Sequence, residues 1–155
     1  MSDAGDGLAA LIDSVAGKAQ ALARMAGIEL SVSLAPGLGA MGDAQRLEKA
    51  LLLLLTNALE QTPRGGRVAL AAAPDAGGGI AIELRSAAPD GDAHGLPLAR
   101  YLVELGCGAA TARSVKRAHA LLVQDRGTVG FARTRGRDET ITIRLPAERG
   151  ASEAA

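Results

Sequence analysis

Apolar residues in the first part of the chain recur with the spacing of a helix and then of a strand. Over residues 8–25 they return every three or four positions, which predicts an amphipathic first helix that Gly27 can end. Residues 28–34 then alternate apolar and polar side chains, the pattern of a strand with one face in solvent. Pro36 and Gly37 end this predicted strand.

A second helix is predicted to begin after Asp43, a residue that can cap its first turn, and to end before Pro63. It contains five consecutive leucines at positions 51–55. One side of this helix is apolar and consists of Leu47, Leu51, Leu54 and Ala58. The spacing therefore predicts a helix with one face packed in the core.

The rest of the chain alternates strand, loop and helix patterns. Residues 67–72 and 80–84 predict two strands joined by a turn at 75–79, and residues 86–95 predict a loop. Helical pieces follow at 98–105 and 112–124, and a hairpin pairs 128–132 with 140–145 across a turn at 135–138. Strands grouped against separate helices predict an α+β protein, a two-layer sandwich with one covered sheet face.

Length and composition favour a single domain. The chain has 155 residues, of which 48% are apolar. We expect the domain to span residues 8–147, between disordered tails at 1–7 and 148–155.

Composition also limits the classes of partner. Tyr101 and Phe131 are the only aromatic residues, so few side chains could stack on nucleic-acid bases, and the formal net charge is zero. We therefore expect no nucleic-acid partner. The chain begins without a signal-peptide pattern, and no apolar run approaches the roughly 18 residues that span a bilayer. With a single cysteine, Cys107, this predicts a cytoplasmic protein without membrane insertion.

Asn57 is the polar exception in the second helix. An amide in so apolar a helix costs free energy unless it has a polar partner. Asn57 is therefore either hydrogen-bonded within the protein or exposed in a pocket, and the helix pattern alone leaves both open.

Two segments of the chain resemble a known family. Asn57-Ala58 and the turn from Thr62 to Gly66 look like the N box, and the turn after it, of the catalytic ATP-binding domain of sensor histidine kinases. Residues 126–146 look like that domain's closing hairpin. The resemblance covers about residues 8–146 and implies the Bergerat fold of the GHKL ATPase superfamily, a mixed sheet packed against helices. It further implies that Asn57 binds the magnesium ion that bridges the nucleotide phosphates, a role suited to an oxygen ligand.

The second helix departs from the family at two positions. Leu53 stands where the family often has another asparagine, and Glu60 stands where a basic residue is common. An apolar group supplies no hydrogen bond, and a carboxylate repels phosphate. Both changes should weaken phosphate contacts, although Glu60 remains a candidate metal ligand besides its simpler interpretation as part of a solvated helix face.

The family's adenine-binding aspartate follows the strand at 80–84. By strand register its place falls at Ser86, with Ala88 where the first glycine of the motif would be. A serine can hydrogen-bond adenine but does not offer the same fixed acceptor. A shifted alternative uses Asp92 and Gly95, which imitate the motif with one residue missing.

The family's second glycine box lets backbone amides approach phosphates at a helix N-terminus. Counting back from the closing hairpin places it at Ala112-Arg113-Ser114, which contains no glycine. The alternative register at Gly95 has Pro97 in place of the second glycine. In the first register, residues 98–106 fall in the lid region, where we expect a short apolar helix to cover or replace the nucleotide cleft.

Other reactive residues do not fit a catalytic pattern. Neither His94 nor His119 is followed by an acidic residue, as a phosphoacceptor histidine of the family is, and Cys107 has no base near it in sequence. The arginines late in the chain can contact phosphate, nucleotide or a protein, and their spacing does not choose among these.

The resemblance and its departures together imply a divergent histidine-kinase-type domain in two-component-like signalling. Its binding of Mg-ATP is expected to be weak or lost, and it is expected to act through a signalling protein, either a dimerisation and phosphoacceptor domain or a response regulator. One alternative is a functional Mg-ATP-binding catalytic domain that phosphorylates a histidine on another segment. A second is a phosphotransfer-type protein that retains an ATPase-like domain. Whether the chain is an enzyme stays open.

Overall fold

The computed structural model describes residues 7–36, 38, 44–87, 113–134 and 138–146. In chain order the elements are α1 (Gly7–Ala26), β1 (Glu29–Leu34), α2 (Ala44–Gln61), β2 (Arg67–Pro74), β3 (Ile80–Ala87), α3 (helical over 113–122), a 3-10 turn (Val123–Asp125), β4 (Thr128–Thr134) and β5 (Asp138–Leu145). This order agrees with the predicted one, except that the helix predicted at 98–105 lies outside the described residues.

Helix α1 has the amphipathic pattern that its sequence predicts. Its buried side is made of Leu8, Ile12, Val15, Ala16, Ala19 and Ala23. The helix ends at Gly27, whose φ of 71° belongs to the left-handed region that glycine adopts without strain. The N–H of Ile28 then donates to the carbonyl of Ala23 at 2.9 Å, which satisfies a carbonyl in the last turn and leads the chain into β1.

Helix α2 buries most of its leucine run. The buried side chains of this helix are Leu47, Ala50, Leu51, Leu54, Leu55, Asn57, Ala58 and Leu59. Leu52 and Leu53 are half-buried at the margin of this face. The predicted apolar side of α2 is therefore confirmed, and it packs in one core with α1 and the sheet.

The five strands form one mixed sheet in the order β1-β2-β3-β5-β4. Strands β1 and β2 are parallel because α2 crosses over between them, which returns the chain to the end of the sheet where β1 began. The pairs β2–β3, β3–β5 and β5–β4 are antiparallel. The α+β class and the mixed sheet are thus confirmed.

One face of the sheet is covered by helices. Alternate residues of β2, β3 and β5 are buried on this face, namely Val68, Leu70, Ala72, Ile80, Ile82, Leu84, Ile141, Ile143 and Leu145. The residues between them are half-buried or exposed, as Glu83 and Arg85 are. This alternation makes a two-layer sandwich with one more solvated sheet face.

Strand β3 extends further than its sequence predicts. The loop expected from residue 86 was wrong in its first two residues, because Ser86 and Ala87 continue the strand. Ser86 pairs with Val68 on β2 and with Glu139 on β5. Partners on both sides stabilise these small residues in strand conformation despite their low strand propensity. For the same reason Asp138, expected in the last turn, is the first residue of β5.

None of the helices in the described segments has the length and apolar character needed to cross a bilayer.

The leucine face of α2 gives a first testable prediction. Leu54 is fully buried, so Leu54→Ala should lower the free energy of unfolding by about 2–5 kcal/mol. Leu53→Ala makes the same chemical change at the neighbouring residue, which is half-buried, and should lower the free energy of unfolding clearly less. Urea denaturation of both variants measures the difference, and equal losses would contradict this packing of α2.

Candidate functional site

Asn57 lies near the C-terminal end of α2, within the buried face. Its exposure is 6%, and the residues that follow it, Ala58 and Leu59, are buried as well. Asn57 has a polar interaction within the protein. Of the two interpretations that the sequence left open, a partnered amide is therefore confirmed.

Thr62 ends α2. Its hydroxyl donates to the carbonyl of Ala58 at 2.6 Å, and its backbone N–H donates to the same oxygen at 3.0 Å. Both bonds satisfy a carbonyl that would otherwise lack an intrahelical donor. The last turn of α2 is thereby held closed directly after Asn57.

The turn after α2 is attached to the end of α1. The N–H of Gly65 donates to the carbonyl of Gly27 at 2.8 Å. The guanidinium of Arg64 lies against Gly27, and its Nη2 is 3.4 Å from the carbonyl oxygen of Met25. Arg64, the first cation after α2, is therefore held against α1.

Gly66 brings the turn close to the end of β3. A Cβ atom at this position would lie 2.6 Å from the carbonyl oxygen of Ala87 and 2.5 Å from the Thr62 methyl carbon. The carbonyl of Gly66 also accepts the N–H of Glu29 at 3.1 Å, at the start of β1. The C-terminal ends of α2 and β3 thus meet at one end of the sheet.

Ser86 lies at this same end of the sheet. It is half-buried and in phase with Ile82 and Leu84, so its side chain belongs to the helix-covered face. Glu139 is its partner on β5 and is also half-buried. Two polar side chains therefore end an otherwise apolar layer, on the sheet that α2 covers.

Glu60 lies on the exposed side of α2, whereas Asn57 lies on its buried side. It is exposed on α2, whose last turn contains no basic residue. The C-terminal end of a helix carries a partial negative charge, to which this carboxylate adds. Within the described parts of the chain, no three or more His, Cys, Asp and Glu side chains gather as a preformed metal site.

Part of the second predicted glycine box falls on α3. Residues 113 and 114 are helical, Arg113 is exposed, and Ser114 is 9% exposed on the inner side of the helix. His119 is exposed on the same helix. The predictions for Ala88, Asp92, His94, Gly95, Cys107, Ala112 and the lid at 98–106 lie outside the described residues.

A cleft of about 220 Å³ lies at the other end of β3, around the turn between β2 and β3. Arg126 and Arg144 line it, and Arg144 is 3.4 Å from the carboxylate of Asp75. None of the predicted site residues that the structure describes lines this cleft, which lies at the opposite end of β3 from the end of α2.

Glu139 is the residue that sequence analysis missed. Its signal was present, because the alternation of β5 places Glu139 in phase with Ile141 and Ile143, both of which are buried. A carboxylate on the apolar side of a strand is unusual enough to mark a candidate site. Its neighbour Ser86, however, is identified only by the pairing of β3 with β5.

No protein-family model and no curated protein sequence matches the chain. Among solved structures, the nucleotide-free catalytic domain of the histidine kinase ThkA is similar, with a TM-score of 0.64 and 15% identity over 90% of this chain and 91% of that one. The mycobacterial sensor histidine kinase MprB has a TM-score of 0.59 and 22% identity, over 90% of this chain and 95% of that one. Full-length ShkA in complex with AMPPNP has a TM-score of 0.62 and 26% identity, with 88% of this chain covering 29% of ShkA. The chain therefore has the fold of histidine kinase catalytic domains.

The close approach at Gly66 gives a second testable prediction. Gly66→Ala should lower the free energy of unfolding by about 1–3 kcal/mol, because the new methyl group meets a backbone oxygen. Gly77→Ala is the control, since nothing lies within 4 Å of a Cβ there. Chemical denaturation compares the two, and faster amide exchange of Ala87 in Gly66→Ala would locate the disturbance at the end of β3. A Gly66→Ala protein as stable as Gly77→Ala would contradict this contact.

Proposed function

We propose that this chain is a divergent histidine-kinase-type ATP-binding domain of two-component-like signalling, in which nucleotide binding is weak or lost. In this proposal it works through a signalling protein, either a dimerisation and phosphoacceptor domain or a response regulator. The fold shared with the catalytic domains of ThkA and MprB supports the assignment to histidine-kinase-type domains. The lack of positive charge at the end of α2 supports weak or lost nucleotide binding.

The observation that carries the proposal is the absence of a cation in the last turn of α2. Asn57 lies in this part of the helix, where a metal-bound phosphate would need positive charge. Glu60 adds negative charge there instead, and the nearby Arg64 is held against Gly27 and Met25. Because Glu60 is exposed, water and salt reduce its repulsion of a phosphate, so the missing cation contributes more than this added carboxylate.

The residues at this end of the sheet therefore suit the metal ion and the base of Mg-ATP better than its phosphates. Asn57 offers an oxygen of the kind that magnesium takes, and Ser86 offers a hydroxyl to a base. When bound, the metal ion would supply charge neutralisation at the phosphates. The last turn of α2 adds no cation to this, so we derive no phosphoryl transfer from it.

The magnitude of the loss can be bounded. Each missing polar contact to a nucleotide costs about 1–3 kcal/mol. The loss of two or three such contacts would change a micromolar site into a millimolar one. Compared with the family's pattern, Leu53 and Glu60 each remove one contact to the phosphates, and Ser86 weakens the contact to the base.

A working Mg-ATP-binding catalytic domain is the second candidate, favoured by the asparagine retained at position 57. ShkA, the solved structure with AMPPNP, is 26% identical to this chain over the shared region. In this candidate the chain would phosphorylate a histidine supplied by another segment.

Titration with ATP and magnesium distinguishes the two candidates. We expect the wild-type chain to bind with a Kd above about 1 mM or not at all. Asn57→Ala should weaken any binding that remains, and its unfolding transition, measured in parallel, shows whether the fold is kept. Micromolar binding that Asn57→Ala abolishes would contradict the proposal and favour the working catalytic domain.

A gain-of-binding variant tests the charge argument itself. Glu60→Lys removes a carboxylate from the last turn of α2 and adds a cation there, so ATP affinity should rise severalfold. Asp13→Lys is the matched control because it makes the same change of charge on the exposed side of α1, on the order of 20 Å along the helix from Gly27. At physiological salt that distance exceeds the screening length of roughly 8 Å. An equal rise in both variants would mean that net charge alone, and not its place on α2, governs binding.

A further inference from the structure

The cleft around the turn between β2 and β3 combines a small volume with an excess of positive charge. Its volume is about 220 Å³, and its charged lining residues are Arg126, Arg144 and Asp75. The other residues that line it are two glycines, a threonine, a leucine and a proline. The cleft therefore has two guanidinium groups, one carboxylate and an otherwise uncharged wall.

Asp75 is held in place by the turn to which it belongs. Its Oδ1 accepts the N–H of Ala76 at 2.8 Å, and its backbone N–H donates to the carbonyl of Gly79 at 2.8 Å. Its second carboxylate oxygen, Oδ2, lies 3.4 Å from Nη1 of Arg144. A guanidinium has five N–H donors, and the Arg144 side chain is 60% exposed. Asp75 therefore orients Arg144 and leaves it accessible to a ligand.

Arg126 lines the cleft from a backbone conformation that arginine rarely adopts. Its φ is 61°, and among the described residues it is the only one besides glycine with a positive φ. The conformation is fixed, because its N–H donates to the carbonyl of Val123 and the N–H of Gly127 donates to that of Leu122, each at 3.0 Å. A glycine would adopt it without the steric cost that a Cβ atom introduces. The backbone gives no reason for an arginine here, which points to its side chain as the reason.

The size and the charge of the cleft together limit what it can bind. Sites for whole cofactors and drug-sized molecules have about 300–1,000 Å³, so this smaller cleft suits a single side chain. Guanidinium groups pair best with carboxylates and phosphates. A dianionic phosphate would be repelled by the Asp75 carboxylate in the same cleft, whereas one carboxylate balances the single excess positive charge. Pro146 adds apolar surface for the methylene groups of an acidic side chain.

We propose that this cleft is a docking site for an acidic side chain of a protein partner. The guanidinium groups of Arg126 and Arg144 donate to the partner's carboxylate, while Asp75 orients Arg144 and disfavours phosphate. The ligand class is therefore an acidic peptide segment. The inference goes beyond the proposed function because it requires no nucleotide. The eight residues of β3, roughly 25 Å of strand, separate the cleft from the end of α2.

The test follows the backbone amide signals of the chain by NMR during titration with a short capped glycine peptide that contains one glutamate. The ionic strength is held constant, because salt screens exposed charges. The Kd should be on the order of 10 mM, since one carboxylate in an open cleft gains little free energy. The amides that shift should be those of Gly77, Gly79 and Thr128, which line the cleft. The same peptide with glutamine in place of glutamate, and inorganic phosphate, should each bind at least about threefold more weakly.

Variants of the two arginines locate the binding. Arg126→Gln and Arg144→Gln each remove one guanidinium and should weaken binding of the glutamate peptide by about threefold or more. Arg117→Gln is the matched control, because Arg117 is exposed on α3 and does not line the cleft, and it should bind as the wild type does. Arg126→Gly separates side chain from backbone. It should raise the unfolding temperature, because glycine relieves the positive φ, and it should still lose binding.

Asp75→Asn tests the discrimination against phosphate. The amide oxygen of asparagine can still accept the N–H of Ala76, so the turn keeps that hydrogen bond. With the negative charge removed, the glutamate peptide and phosphate should both bind severalfold more tightly. Phosphate should gain the larger factor, because it carries more negative charge. An unchanged ratio of the two affinities would overturn the role of Asp75.

Several results would overturn the docking site. One is the absence of shifts in the cleft amides at peptide concentrations well above the expected Kd. Equal weakening in Arg117→Gln and Arg126→Gln would mean that net charge alone governs binding. Tighter binding of phosphate than of the glutamate peptide by the wild type would assign the cleft to phosphate instead. Wild-type affinity in Arg126→Gly would remove Arg126 from the site. No measurement in this set contains ATP, so each outcome is independent of the nucleotide titration.

Discussion

The burial of the leucine face of α2 against the sheet and α1 is the contact on which the other features depend. Once Leu51 and Leu54 lie in the core, the rotation of the helix about its axis is set, because 3.6 residues per turn leave no other face apolar. Asn57 is then held within the buried arc, and Glu60 is turned to solvent. The same packing that builds the core therefore decides which of the two polar groups can belong to a site.

The position of this helix along the sheet is set by backbone contacts in the turn that follows it. Gly65 is hydrogen-bonded to Gly27 at the end of α1, and Gly66 to Glu29 at the start of β1. Gly66 also lies against the carbonyl of Ala87. Four element ends meet at two residues without side chains. The geometry between α2 and β3 consequently depends on close backbone approach, with little contribution from flexible side chains.

The elements could be predicted from the sequence because each depends on local spacing, and the periods of α1, α2, β1 and the last hairpin were all correct. The end of β3 could not, since Ser86 and Ala87 owe their conformation to partners on two other strands. The same limit applies to Glu139, whose relation to Ser86 exists only in the register between distant segments. The burial of Asn57 was one of two outcomes that the helix pattern allowed.

The two ends of the proposed site differ in the charge they offer, and this separates affinity from recognition. A triphosphate gains most of its binding from cations, and the last turn of α2 contains none, so this end of the helix adds little to phosphate affinity. An uncharged base gains from a hydrogen-bond acceptor, which a carboxylate supplies. Discrimination between bases is a difference of two affinities, and repulsion of the phosphates lowers both equally. A site of this kind can therefore lose most of its affinity while a preference between bases persists.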